Sequence, residues 1–364
     1  MRKGRPACEA HLVIDERVSR RAARAAAVPL YRFTLAGLGA AEPATRLPSL
    51  ELDRRHGLEP GTIEQLTGVR ERAVSTTETL IDVAADAARA ALRDAGLEPA
   101  GVDCLIFASA VAHQPIPTTA VLLKRALGFD ALPTPAFDVN ATCLGFFVAL
   151  DVAAALIAAG RYRHILVVAA ERPDGALDWR QPATAGIFGG GAGAAVLAAS
   201  DSRDAGDATG SGILALAFEN YTEGADACVI RSGGTNSDPR GDFDAFLDGW
   251  RFEMEGPIAY RLSAQYFPAL VERVLVEARV RMDDIDVVIA HQASAAALEL
   301  MLRRLGIPRD KQLNLFAEHG NQVSASIPFV LAQAKARGLI GDGKLALVLG
   351  TAAGITLGAA VWRT

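Results

Sequence analysis

Two stretches of this chain follow one plan, and that repetition limits its fold more than any other feature. DAGLEPAGVDCLIFASA (residues 94–110) and EARVRMDDIDVVIAHQA (residues 277–293) each run from a helix end through a short turn. Each then has a branched residue followed by Asp, at Val102-Asp103 and Ile285-Asp286, and each finishes in an apolar strand. GGGAGAAVLAAS and GITLGAAVWRT carry the same Gly-Ala-Ala-Val, starting at Gly193 and Gly358. Cys143 opens an apolar run ending at Gly160, and Asn321 precedes one ending at Gly338, both 17 residues on. Matched features in the same order indicate a duplicated unit. The polar SDSRDAGDATGSG (200–212) supplies the junction, so the halves are 31–205 and 206–364.

Within each half, strand patterns alternate with helical ones. TETLIDVAADAARAALRDAGL has helical spacing with Gly96 as its stop; PAFDVN, HILVVAAE and AGAAVLAAS are apolar strands, and Thr142–Ala159 is a buried helix. This alternation predicts an α/β fold with a sheet covered on both faces. The chain is 51% hydrophobic but only 6% aromatic, so its core must be packed from small residues with helices close to sheets.

Net charge is −5, which leaves no basic surplus for nucleic acid, although a local basic patch for an acidic carrier protein is compatible with it. No apolar run reaches the ~18 residues of a membrane span. Cys8, Cys104, Cys143 and Cys228 lie far apart, without metal-ligand spacing. This pattern predicts reduced thiols in a cytoplasmic protein with no metal site. Residues 1–30 carry seven Arg/Lys against three Asp/Glu and lack the apolar core of a secretory signal. They read as a basic N-terminal extension, flexible and separate from the duplicated unit.

The duplication places Cys143 and Asn321 at equivalent helix starts, with His291 at the end of a paired strand. A thiol at a helix N-terminus is favoured as thiolate. An imidazole can move a proton or donate to a carbonyl. An Asn amide can donate to the same carbonyl, and the Gly354 N–H can form an oxyanion hole with that of Cys143. Each residue also has a structural reading: a core cysteine, a satisfied core histidine, a helix cap and a tight turn. Among the other histidines, His319 stands out because it lies two residues from Asn321. Papain-like proteases share the order Cys, His, Asn, but their local cysteine signature is absent here and the scaffold differs.

DVNATCLGFFVAL, AHQAS, EHGNQVSASIP, FGGGAGAAVL, GITLGAA and LTGVRERA together resemble the β-ketoacyl-ACP synthase III family of the thiolase superfamily, in order from about Tyr31 to the C-terminus. The resemblance implies a five-layered α-β-α-β-α fold and a homodimer. It implies Cys143, His291 and Asn321 as catalytic residues, with Cys143 and Gly354 as oxyanion hole. It also implies a substrate pocket lined by Ile116, Phe188 and Ile355, with Ile116 reaching across the dimer. The expected reaction is a decarboxylative Claisen condensation between a Cys143-bound acyl group and a malonyl thioester. CoA or acyl carrier protein would carry the substrates, and no other cofactor is expected.

The chain departs from the housekeeping enzymes at several positions. Thr62 stands where they stack adenine on a Trp, and Ala296 where they have an Arg. Gly190 replaces the acid of their FGDGAGA, and HQAS replaces HQAN. These changes argue against acetyl-CoA as primer and point to specialised fatty acid or polyketide metabolism. The similar olefin-biosynthesis condensing enzymes use a partner-subunit Glu where this chain has Ile116, which leaves Glu318 as a substitute base. Acyl transfer to oxygen or nitrogen, non-decarboxylative condensation, and a non-catalytic partner of a paralogous synthase are the competing readings.

Overall fold

Nine strands in residues 31–363 hydrogen-bond into a single sheet that repeats one pattern twice. A computed structural model of the chain describes residues 31–200, 211–341 and 343–364. The expected N-terminal extension and most of the junction between halves lie outside the described residues. The strands are β1 (Tyr31–Ala41), β2 (Cys104–Ala108), β3 (Ala136–Val139), β4 (His164–Glu171), β5 (Gly191–Ala199), β6 (Gly212–Asn220), β7 (Val287–Ala290), β8 (Leu345–Ala352) and β9 (Thr356–Arg363). Their order is β7-β8-β9-β6-β1-β5-β4-β2-β3. Outward from the middle, the first half reads β1-β5-β4-β2-β3. The second reads β6-β9-β8-β7, with Gln312 bridging β7 in parallel where β3 would stand. β1 and β6 join the halves antiparallel, at Tyr31–Ile213 and Arg32–Gly212.

The repeated branched-Asp pair has a physical role. The Asp103 carboxylate accepts from the His164 N–H at the start of β4 (2.8 Å), and Asp286 accepts from the Leu345 N–H at the start of β8 (2.8 Å). Each aspartate thus sets the register of the parallel strand beside it.

Alternation along the strands sorts the core into layers. On β2, Ile106 and Ala108 face a central cluster while Leu105 and Phe107 face an outer one. On β8, Ala346 and Val348 face the same central cluster while Leu347 and Leu349 face the opposite side. The outer layer of the first half is α1 (Leu80–Ala95), opened by a Thr79–Asp82 capping box and closed by Gly96 at φ 61°. The central layer holds α2 (Gly145–Ala158) and α5 (Ser326–Ala336). α3 (Gly256–Ala278) and α4 (Ala295–Arg304) cover the second half. The result is the expected five-layered α-β-α-β-α architecture.

The small-residue core has a local cause at β1. A Cβ on Gly39 would lie 2.1 Å from the Ala87 carbonyl oxygen and 2.4 Å from the Ala91 nitrogen, both backbone atoms of α1. Gly39→Ala therefore pushes α1 off the sheet, and the expected cost is about 1–3 kcal/mol. Denaturant unfolding of the variant checks this.

Candidate active site

Cys143, His291 and Asn321 line one cavity of about 620 Å³. Two matching turns set its geometry. Before α2, Asn140 Oδ1 accepts from the Thr142 N–H (2.9 Å), and Thr142 has φ 48°. Before α5, Asn321 Oδ1 accepts from the Val323 N–H (2.8 Å), and Val323 has φ 50°. A β-branched residue at positive φ costs on the order of 1–3 kcal/mol, a strain found where function holds it in place.

These turns correct the expected equivalence. Asn321 matches Asn140, and Ser324 matches Cys143. Counting back from Gly160 and Gly338 misplaces the pairing by three residues, because α5 has 11 residues and α2 has 14. The expected helix over 142–159 likewise starts later: Thr142–Leu144 form a 3₁₀ turn and α2 begins at Gly145.

The FGGG motif holds Asn321. The Asn321 N–H donates to the Ile187 carbonyl (2.8 Å), and the Gly189 N–H donates to the Asn321 carbonyl (3.2 Å). Gly320 before it has φ 66° and ψ −163°, a conformation open only to glycine. With Oδ1 committed to the turn, Nδ2 is the group Asn321 presents to the cavity. Its oxygen closes the turn before the 3₁₀ segment rather than capping α5 itself.

His291 ends β7, its N–H donating to Leu349 (2.8 Å). Gln292 anchors the strand end: its N–H donates to Ser326, its Nε2 to the Leu313 carbonyl, and its Oε1 accepts from the Leu315 N–H. The serine of HQAS, Ser294, caps α4 by accepting from the Ala297 N–H. Burial pushes the His291 imidazole down to about 4, so it is neutral at physiological pH. Its Nδ1 is buried without a partner, which leaves Nε2 for the cavity.

The cavity works against the thiolate that a helix start would favour at Cys143. Burial, with a smaller contribution from the Glu171 charge, pushes the thiol up to about 12. The resting pair is a thiol and a neutral imidazole. The nearby backbone N–H groups of Cys143 and Ala353 offset part of that rise. Gly354, the expected oxyanion donor, follows at φ 105°, and the lining residues on its loop are Ala353 and Ile355.

Phe188 and Ile355 line the cavity as expected. Phe188 also bridges Asn321 and meets Phe252 edge-on at 5.3 Å. Ile116 is 84% exposed and does not line the cavity of its own chain. His319 is turned to Glu42 (2.7 Å), and Glu318 pairs with Arg70 on the surface. Neither lines the cavity of its own chain. The carboxylate that does line it is Glu171, which the sequence reading missed. Its signal was an acid ending the otherwise apolar HILVVAAE. Beyond His291 the cavity continues between α3 and α4, past Phe267, Leu298 and Met301.

Known proteins match this arrangement. Residues 137–221 match the 3-oxoacyl-[acyl-carrier-protein] synthase III family model, and residues 275–364 match that of its C-terminal part. The β-ketoacyl-[acyl-carrier-protein] synthase III of Sphingopyxis alaskensis is 34% identical over 333 residues, 91% of this chain and 99% of that one. The chain belongs to the β-ketoacyl-[acyl-carrier-protein] synthase III family. A Streptomyces coelicolor β-ketoacyl-[acyl-carrier-protein] synthase III is 35% identical over 327 residues, covering 90% of this chain and 95% of its own. The 3-oxoacyl-[acyl-carrier-protein] synthase III structure from Aquifex aeolicus superposes with TM-score 0.80 at 29% identity, over 91% of this chain and all of that one. This synthase III homologue is accordingly an acyltransferase of the ketosynthase type, with the thiolase-like fold of its relatives.

Proposed function

We propose that this synthase III homologue extends a Cys143-bound acyl group by decarboxylative Claisen condensation with a malonyl thioester. One observation carries the reading: a thiol, a neutral imidazole with Nε2 open, and an Asn amide with Nδ2 open share one cavity. In loading, Cys143 sulfur attacks the acyl thioester carbonyl as Nε2 takes the thiol proton. The oxyanion meets the N–H groups of Cys143 and of the 353–354 loop, and the departing carrier thiolate takes the proton back. The unpartnered Nδ1 fixes no single tautomer, so Nε2 can next act as donor.

In condensation, the malonyl carboxylate leaves as CO₂ and its bonding pair becomes an enolate. Nε2–H and Nδ2–H stabilise the enolate oxygen. The enolate carbon attacks the acyl carbonyl, the bond to Cys143 sulfur breaks, and the departing thiolate takes a proton from solvent to restore the thiol. Loss of CO₂ supplies the electron pair without a base, which suits a chain with Ile116 in place of the olefin enzymes' Glu.

The carrier is CoA or an acyl carrier protein, with no other cofactor, in a cytoplasmic homodimer in which Ile116 reaches the partner's pocket. No helix among the described residues is long and apolar enough to cross a membrane. The absence of Trp at 62 and of Arg at 296 supports a primer other than acetyl-CoA, in specialised fatty acid or polyketide metabolism. Supplying malonyl-CoA or malonyl carrier protein to the acylated enzyme is expected to release one CO₂ per β-ketoacyl product. A condensed product without CO₂, or transfer of the acyl group to oxygen or nitrogen, contradicts the reading.

A further inference from the structure

Glu171 ends β4 with 6% of its surface exposed, and that surface opens on the cavity. Its Oε1 accepts from the Ala110 N–H (2.6 Å), from the Ser324 hydroxyl (2.5 Å) and, more weakly, from the Ser324 N–H (3.4 Å). These contacts reach both helix starts. The Ala110 carbonyl accepts from Asn140 Nδ2 (3.1 Å), and Asn140 holds the turn that carries Cys143. Ser324 occupies the position equivalent to Cys143 in the second half, directly after the turn held by Asn321. One carboxylate oxygen therefore joins the two strained turns on which the thiol and the amide stand. Among the described residues, the contacts to this carboxylate all fall on Oε1.

We propose that Glu171 is a positioning residue of this site: it ties the Cys143 turn to the Asn321 turn through Ser324, and its charge governs how readily Cys143 gives up its proton. Burial pushes its carboxyl up to about 7, against the lowering effect of its three donors. Above that value the carboxylate, on the same cavity as Cys143, opposes the thiolate; below it the opposition ends. The other titratable groups on this cavity are His291, Cys228, His113, Tyr260 and Arg172. Arg172 is turned to Asp174, and burial alone accounts for the depressed His291.

The test is the pH dependence of iodoacetamide alkylation of Cys143, read by intact mass, with Cys143→Ala as the background for Cys228. Because it needs no acyl substrate, it is readable even if the condensation reading fails. Glu171→Gln keeps an acceptor oxygen for Ala110 and Ser324 but removes the charge. Its alkylation at neutral pH is expected to be on the order of tenfold faster, with the midpoint about one pH unit lower. Ser324→Ala keeps the carboxyl but removes a donor that favours its ionised form, so it moves the profile the same way by less. That variant is also expected to lower kcat for condensation with KM unchanged, because the Asn321 turn is released. A purely structural Glu171 leaves the alkylation profile where it was, and superimposed profiles for both variants overturn the proposal.

Discussion

Cys143→Ala is expected to take up no acyl group and to lose condensation by at least on the order of 10⁴-fold, as when the nucleophile of a catalytic group acting as a unit is removed. The geometry leaves no substitute. Cys228 also lines the cavity, but it sits on a short strand, away from the helix start and the Asn140 turn that place Cys143. Removing one sulfur atom at a cavity wall opens no void in the packed layers, so the melting temperature is expected to stay close to that of the parent. A variant that is stable and still condenses contradicts the assignment of the nucleophile.

Asn321→Ala and His291→Ala have the next largest expected effects, and they separate the half-reactions. Asn321 is assigned to the enolate only, so its alanine variant is expected to load acyl groups at the parent rate. CO₂ release should fall by about 10²–10³, the usual cost of one donor to a developing oxyanion. His291 takes part in both steps, so its variant is expected to slow loading as well. The loss of the Asn321 side chain also frees the Val323 N–H and relaxes the φ 50° turn. Comparing loading with CO₂ release in the same preparation distinguishes a lost donor from a disturbed site, since disturbance depresses both.

Much of this was legible in the chain because its signals are local. The pairs Val102-Asp103 and Ile285-Asp286 mark where each aspartate grips the neighbouring strand, and Gly-Ala-Ala-Val marks two sheet positions buried on both faces. Cys143, His291 and Asn321 could be placed together because duplication predicts where strand ends and helix starts meet. Three features were not legible. The 3₁₀ turns before α2 and α5 depend on Asn140 and Asn321 accepting from the backbone two residues on, and the three-residue difference between the helices hid that Cys143 matches Ser324. The acidity of Cys143 depends on how much water the folded cavity excludes, and no spacing records that. Glu171 carries no local signal beyond an acid at a strand end; its burial depends on Ala110 and on Ser324 from the other half of the chain.

Whether Cys143 carries an acyl group is tested directly by intact-mass analysis. Wild-type protein and Cys143→Ala are incubated with a series of acyl-CoA and acyl-carrier donors from acetyl to long-chain. The account predicts that wild type gains the mass of one acyl group from at least one donor other than acetyl, and that Cys143→Ala gains none. An adduct that persists in Cys143→Ala, or no adduct on wild type from any donor, contradicts it.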